Sequence, residues 1–318
     1  MVGAFDIGGT KTIVGVVGED GSVMASRQFP TDTADCEAHL RACIDCLTEQ
    51  LCALGLNMRE LSGIGITLPG IVDTSRGTLV HSAYPAWNGY PLSAYVKEHT
   101  RCGHVAVEND VNACALAEMR FGYGDRFSDF IWVTVSTGVG GAVVCGGRLI
   151  PGAGGFAGEI GHIRVEYEHP LPCPTCGGVG CLEAHGSGKA MDMRFANAVR
   201  ENPELAEALK TRGLNPDGRG CAALARLGNP EALACCEAIG TYLGRGFAAA
   251  VNLLNPQALI LGGGVSESLP LLKSAILRTL RADIHPSLWP VELLKTRLGY
   301  QAAFIGAATL AMERSDKQ

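Results

Sequence analysis

Four groups of residues carry types and spacings that could do chemistry. Asp6 precedes Gly8-Gly9-Thr10-Lys11, between the apolar runs 2–7 and 12–17. A Gly/Thr turn between strands offers consecutive backbone N–H groups with no Cβ in the way, a concavity that suits phosphate oxygens. A P-loop would need its Lys-Thr to open a helix, whereas Lys11-Thr12 enters a strand. A plain hairpin explains the glycines equally well, but it needs no acid ahead of them. A carboxylate there makes sense beside phosphates with Mg2+ between them. The second group, Ser136-Thr137-Gly138-Val139-Gly140-Gly141, repeats the arrangement with hydroxyls beside the glycines. Read alone, 138–141 is only weak support for a dinucleotide site.

The third group is Glu108-Asn109-Asp110, after an apolar run and before an Ala-rich helix. From that position a carboxylate can point into a cleft, yet Asn109 or Asp110 can equally cap the helix. The fourth is His162 with Cys173, Cys176 and Cys181, in a Pro/Gly stretch where no core face can be drawn. One imidazole and three thiolates form a tetrahedral set suited to structural zinc, with no open position for catalysis. His169 and His185 are nearby alternatives. An iron–sulfur cluster would normally take four thiolates. An odd count of 13 cysteines without a secretion signal fits reduced thiols rather than disulfides. Cys36 and Cys43 share helical spacing with Leu40, Leu47 and Leu51, and Cys114, Cys235 and Cys236 lie among Ala and Leu, so these read as small core residues.

The elements that must position these groups alternate. Strands are expected at 2–7, 12–17, 22–28, 63–68 and 104–107, with helices over 35–55 and 111–120. The pattern then starts again with a strand at 130–135, a turn over 136–141 and a strand at 142–145. Helices around 188–200 and 230–254, a strand at 258–261 ending in Gly262-Gly263-Gly264, and a last helix over 306–313 complete the chain. Strands alternating with helices imply an α/β class with mixed sheets, the second half echoing the first.

With 318 residues, two domains are expected. Hydrophobic residues make up 47% and charged residues 18%, enough apolar mass for buried cores. A formal charge of −6 lacks the basic footprint of nucleic-acid binding. No apolar run is long enough to span a membrane, and no basic segment precedes an apolar one at the start. The expectation is a soluble, cytoplasmic protein with neither nucleic-acid nor membrane partners.

Taken together and in order, Asp6–Lys11, Glu108-Asn109-Asp110, Ser136–Gly141, Glu159-Ile160-Gly161-His162 and Cys176-Gly177-Gly178-Val179-Gly180-Cys181-Leu182-Glu183 resemble the ROK family (repressors, open reading frames, kinases) across nearly the whole chain. The resemblance implies an actin-like ATPase (ribonuclease H-like) fold: duplicated α/β domains with mixed sheets and a cleft between. Residues 1–117 would form a small N-terminal domain, with a C-terminal helix of about 304–318 packing back on it. Residues 118–303 would form a large domain carrying the zinc loop. It further implies an ATP-dependent kinase acting on a hexose or N-acetylhexosamine at O6, working as a homodimer.

By the same resemblance Asp110 would be the catalytic base. Gly70, Asn109, Asp110, Glu159, His162 and Glu183 would meet the sugar. Asp6, Gly8, Gly9, Thr10, Lys11, Ser136, Thr137, Gly138, Gly140 and Gly141 would meet the phosphates and Mg2+, and Gly263 and Gly264 the adenosine side. His162, Cys173, Cys176 and Cys181 would hold Zn2+. Two departures stand out. The first cysteine pair is C-x-x-C where the family usually has C-x-C, and the sugar-loop Asn of the family falls at Ala83. Asn88 is a neighbouring amide that could compensate, and Trp87 reads as core or pocket wall. The family's sugar-responsive repressors carry a helix-turn-helix segment ahead of the first strand, whereas here that strand starts at residue 2. A sugar-binding module without chemistry is the other rival.

Overall fold

The computed structural model describes residues 1–82 and 84–313. In chain order the main elements are β1 (Val2–Ile7), β2 (Lys11–Val17), β3 (Val23–Pro30), α1 (Cys36–Ala53), β4 (Ile64–Leu68), β5 (Ile71–Asp73), β6 (Thr78–His81), α2 (Leu92–Thr100), β7 (Val105–Asn109) and α3 (Asp110–Phe121). There follow β8 (Phe130–Val135), β9 (Val139–Cys145), β10 (Arg148–Ile150), α4 (Leu182–Gly186), α5 (Gly188–Glu201), α6 (Pro203–Lys210), α7 (Gly218–Arg226), α8 (Pro230–Leu254), β11 (Ala258–Gly262), α9 (Leu269–Asp283), β12 (Glu292–Lys295) and α10 (Ala302–Met312).

The chain divides into two compact units. The first holds Met1–Ser128, Gly146–Ala157 and the described chain from Thr296 onward; the second holds Asp129–Cys145 and Gly158–Lys295. The first division therefore falls after Ser128, not near 117. The reason is local: residue 117 lies inside α3, whose Ala113 and Leu116 pack with Leu310 of α10 and Leu149 of β10. A boundary there would cut a buried helix. The final helix begins at Ala302, four residues ahead of the expected 306; residues 314–318, which the expectation also covered, lie outside the described residues.

In the first unit the strand order is β3-β2-β1-β4-β7. β1 pairs antiparallel with β2 and parallel with β4, and β4 pairs parallel with β7. Both faces of β1 and β4 are covered, so these strands read as near-continuous apolar runs. One face packs on α1, capped by Asp35, whose side chain accepts from the Ala38 N–H. Its buried Cys36, Leu40, Cys43, Leu47 and Leu51 follow the helical period. On the other face lies α10, and the approach is backbone to backbone. A Cβ on Gly65 of β4 would sit 1.7 Å from the Ala307 carbonyl oxygen, and one on Gly306 would sit 2.4 Å from that of Ala113.

In the second unit β9-β8-β11-β12 run in that order. β8 pairs antiparallel with β9 and parallel with β11, which pairs parallel with β12. This repeats β2-β1-β4-β7 strand for strand, so the echo in the sequence is a duplicated topology. Behind the sheet, α8 packs on α9 through Gly240 and Gly244, whose Cβ positions would lie 2.8 and 2.9 Å from the Leu272 and Ile276 carbonyl oxygens. One point of the second hairpin differs from expectation. β9 starts at Val139, opposite Val135, so Gly140 and Gly141 are strand residues and the turn is only Ser136–Gly138, closed by the Ser136 N–H to the Gly138 oxygen at 2.9 Å. Position 141 takes a glycine within the strand because Gly158 presses on it: a Cβ there would meet the Gly158 oxygen at 2.7 Å.

Gly65→Ala must move backbone rather than a flexible side-chain tip. It should lower stability on the order of 3 kcal/mol, the upper range for overpacking. Gly103 has open space where a Cβ would go and serves as the control; Gly103→Ala should stay within about 0.5 kcal/mol of the parent. Urea midpoints measured side by side decide this, and equal midpoints for both variants would refute the close packing of α10.

Candidate functional site

In the first unit the chemistry gathers where β1, β4 and β7 end. Asp6 is the penultimate residue of β1, opposite Thr67 of β4, whose hydroxyl donates to Asp6 Oδ1 at 3.4 Å. The turn beyond it, Gly8–Thr10, is closed by the Gly8 N–H to the Lys11 oxygen at 2.9 Å, while the Thr31 hydroxyl donates to the Gly8 oxygen at 2.8 Å. Gly9, Thr10 and Lys11 are exposed, and Lys11 opens β2, so this is a hairpin turn and not a P-loop.

At the end of β7 the choice of helix cap is resolved. Asn109 caps α3, its Oδ1 accepting from Val111 at 2.8 Å and Asn112 at 3.2 Å. Its amide nitrogen donates to the Gly70 oxygen at 2.9 Å, tying the cap to the loop after β4. Gly70 has φ +125, and a Cβ there would lie 2.4 Å from the His81 oxygen, so only glycine fits. With Asn109 as cap, Asp110 becomes the first helical residue, and the Val111 N–H donates to its Oδ1 at 3.0 Å.

Asp6 and Asp110 are both half-buried, each keeping an accessible edge while protein strips water from the carboxyl. Asp6 is raised to about 7, first by burial and next by the Asp110 charge; the Thr67 hydroxyl and Lys11 offset only part of this. Burial raises Asp110 as well, opposed by backbone N–H groups. Two desolvated acids near one another favour a bound cation or a proton. Sequence reasoning did not single out Thr67. Its signal was a lone hydroxyl in the otherwise apolar run 64–68, on the strand that neighbours β1.

The second unit holds the other group. Cys173 and Cys176 flank a knuckle in which the Cys173 N–H donates to the Gly178 oxygen at 2.7 Å and the Gly177 N–H to the Cys173 oxygen at 3.1 Å. The ligand atoms of His162, Cys173, Cys176 and Cys181 all lie within 4.8 Å of one another. Cys176 and Cys181 sulfurs are 3.6 Å apart, and Cys173 Sγ is 3.7 Å from His162 Nδ1. Four ligands placed tetrahedrally at metal–sulfur distances of about 2.3 Å stand roughly 3.8 Å apart, so the donor set fits a metal. His185 is not a member, since its Nε2 accepts from the Leu171 N–H at 3.1 Å. The extra residue of the C-x-x-C pair is put to use: the Thr175 hydroxyl donates to Glu183 Oε1.

Glu183 is buried, and its Oε2 accepts from the Val139 N–H at 3.0 Å. It therefore ties the cysteine loop to the first residue of β9, at the edge of the Ser136–Gly138 turn. A Cβ on Gly138 would lie 2.3 Å from that same oxygen. Glu159 is exposed, and its carboxylate lies 3.7 Å from His162 Nε2, the ring nitrogen turned away from Cys173. Gly263 has φ +80 and packs under the Val135 oxygen, while Gly264 has open space around it.

Ala83 lies outside the described residues. Asn88 braces the loop through its Oδ1, which accepts from the Ser82 N–H at 3.0 Å. Trp87 is fully buried core.

A family model described as ROK family matches residues 2–314. A glucokinase of Streptomyces coelicolor is 34% identical over 315 residues, 97% of this chain and 96% of that protein. An N-acetylmannosamine kinase of Escherichia coli is 31% identical over 312 residues, 97% of each. Among solved structures, a ROK family glucokinase from Streptomyces griseus in complex with glucose and AMPPNP matches with a TM-score of 0.82 at 32% identity, covering 98% of this chain and 99% of that one.

The raised acid at Asp6 has a consequence for stability. Its ordinary value is 3.8 and its folded value about 7, so its contribution is fully present below pH 4 and lost as pH climbs through 7. Asp6→Asn removes that loss. Without divalent cation the variant should be more stable than the parent at pH 8, by about 1–3 kcal/mol after allowance for partial exposure, and nearly equal at pH 4. Chemical denaturation at the two pH values reads this directly; a destabilised variant at pH 8 would contradict it.

Proposed function

The chain belongs to the ROK family, and from that membership we propose that it transfers the γ-phosphoryl group of ATP to O6 of a hexose or N-acetylhexosamine. The observation that carries the reading is the pair of desolvated acids, Asp6 and Asp110, beside an amide-lined turn at the strand ends of one unit. Its support comes from whole-length similarity to two kinds of sugar kinase and from the AMPPNP bound by the Streptomyces griseus relative. Glucose, N-acetylmannosamine, N-acetylglucosamine and fructose are the candidate sugars.

Each residue has a task its geometry allows. Asp110 accepts the proton of the sugar hydroxyl; burial raises its affinity for that proton, which suits a base working near neutral pH. Asn109 keeps a second amide N–H for the sugar after bonding Gly70. Glu159 and His162 Nε2 are available to hydroxyls from the second unit. Glu183 keeps a further lone pair on each oxygen while bracing the cysteine loop. The backbone amides of Gly9–Lys11 and of Thr137 and Gly138 hold phosphate oxygens, since those of Gly8 and Ser136 close their own turns. Gly140 and Gly141 keep the strand behind the second turn free of side chains, and Gly263-Gly264 allow close approach of the adenosine.

Asp6 would hold Mg2+, which supplies charge neutralisation for the phosphates. His162, Cys173, Cys176 and Cys181 would hold structural Zn2+, fixing the imidazole through Nδ1 so that Nε2 faces Glu159.

Asp110→Asn should keep the parent's circular dichroism and denaturation midpoint within about 1 kcal/mol while turnover falls at least about 100-fold. Coupled ADP release, screened over the four sugars, measures it; phosphorylation at the parental rate would remove Asp110 from the mechanism. Hexose binding without sugar-dependent ADP release would instead favour a regulator or a silent binding module. Elemental analysis of the purified protein should return about one zinc per chain, and Cys176→Ser should reduce it sharply. A parent protein nearly free of zinc would refute the metal assignment.

A further inference from the structure

Tyr84 sits in the first unit, between β6 and α2, and the surrounding loop fixes it firmly. Its N–H donates to the Ser82 hydroxyl oxygen at 2.9 Å, and its carbonyl accepts from the Trp87 N–H at 2.9 Å. The ring stands edge-on to Trp87 with centroids 5.7 Å apart, and Trp87 in turn packs against His39 at 5.4 Å. Only 5% of Tyr84 is exposed. This is a rigid aromatic held on three sides.

Its hydroxyl is the anomaly. Among the described residues it has no hydrogen-bond partner, although it is buried. A buried tyrosine hydroxyl normally finds one, because leaving it unmade forfeits its hydration. The oxygen faces the first glycine turn: a Cβ on Gly9 would lie 3.4 Å from it. Burial together with the charges of Asp110 and Asp6 pushes the phenol up to about 12, so it keeps its proton at every physiological pH. Two carboxylates lie within electrostatic reach, yet the O–H bonds to neither. A preorganised donor beside an amide-lined phosphate cup is matched by an anionic oxygen of the group entering that cup.

Resting on the kinase reading, we propose that the Tyr84 hydroxyl donates a hydrogen bond to a phosphoryl oxygen of the nucleotide at the Gly8–Gly9 turn, strengthening as charge develops during transfer. The hydroxyl exchanges no proton and forms no covalent bond. Its position next to the loop that normally brings an amide to the sugar makes a sugar contact the competing assignment, and the two differ in what they do to kinetics.

Tyr84→Phe removes only the hydroxyl and leaves the ring on Trp87. The inference requires kcat to fall about 10- to 100-fold, the range for losing a hydrogen bond to a charged group, with the sugar KM within about threefold of the parent. It also requires the ligand-free variant to be at least as stable as the parent in urea, since the deleted group has no partner. A kcat within about twofold of the parent overturns the proposal, as does a raised sugar KM at unchanged kcat, which would assign the hydroxyl to the sugar. A lower urea midpoint also overturns it, by making the hydroxyl structural. Parental protein without sugar-dependent ADP release would strike the kinase reading itself, an outcome visible before the variant is assayed.

Discussion

The first unit is organised around an electrostatic debt: Asp6 and Asp110 are held near each other at the ends of parallel strands with most of their water removed. Desolvation is the largest influence on both, and for Asp6 the Asp110 charge comes next. What the protein sets against this is modest, a long hydrogen bond from Thr67 and an exposed Lys11. Ligand-free, the site stays under strain that a bound cation can relieve. A stability optimum would have placed neutral residues there, so the acids mark a position where folding and chemistry ask for different side chains.

Everything around the acids works to keep them where they are. α10 is pressed onto β4 at Gly65 and onto α3 at Gly306, which pins these elements against one another. Asn109 takes the helix cap and, through Gly70, fastens the neighbouring loop, which frees Asp110 from capping. In the second unit Glu183 does comparable work, joining the cysteine loop to the start of β9. A metal in that loop would therefore set the positions of His162 and of the second turn together, although it would touch no reacting atom.

The strands, the main helices and the two-half pattern were legible because apolar periodicity and glycine placement are local signals. Phe130–Val135 and Pro230–Leu254 coincide with expectation to the residue. The domain boundary was not legible at 117, because what keeps α3 whole with its unit is contact with α10, some 190 positions away in sequence. The extent of the second turn was not legible for a similar reason: a glycine at 141 looks like a turn residue until Gly158 is seen packed against it in the strand. The His162 cysteine set was readable from spacing, whereas Glu183 as a brace was not, since its partners Val139 and Thr175 become neighbours only in the fold. Tyr84 carried no signal in the sequence beyond being aromatic in a loop.

The duplicated topology also shows how chemistry was divided between equal scaffolds. Ile7 pairs with Thr12 in the first hairpin and Val135 with Val139 in the second, so Asp6 and Thr134 occupy matching penultimate positions in their strands. Beside them on the parallel neighbour stand Thr67 and Gly262 respectively. Where the first unit has a carboxylate with a hydroxyl donor, the second has a hydroxyl beside a glycine, and that glycine is required because a Cβ would meet the Trp132 ring at 2.3 Å. A carboxylate at position 134 would be a second buried charge with no hydrogen-bond donor on its neighbouring strand, a cost of several kcal/mol for an ion left without compensation. The same backbone is thus charged once and left neutral once. One half carries an acid at this position, and the other carries a hydroxyl there.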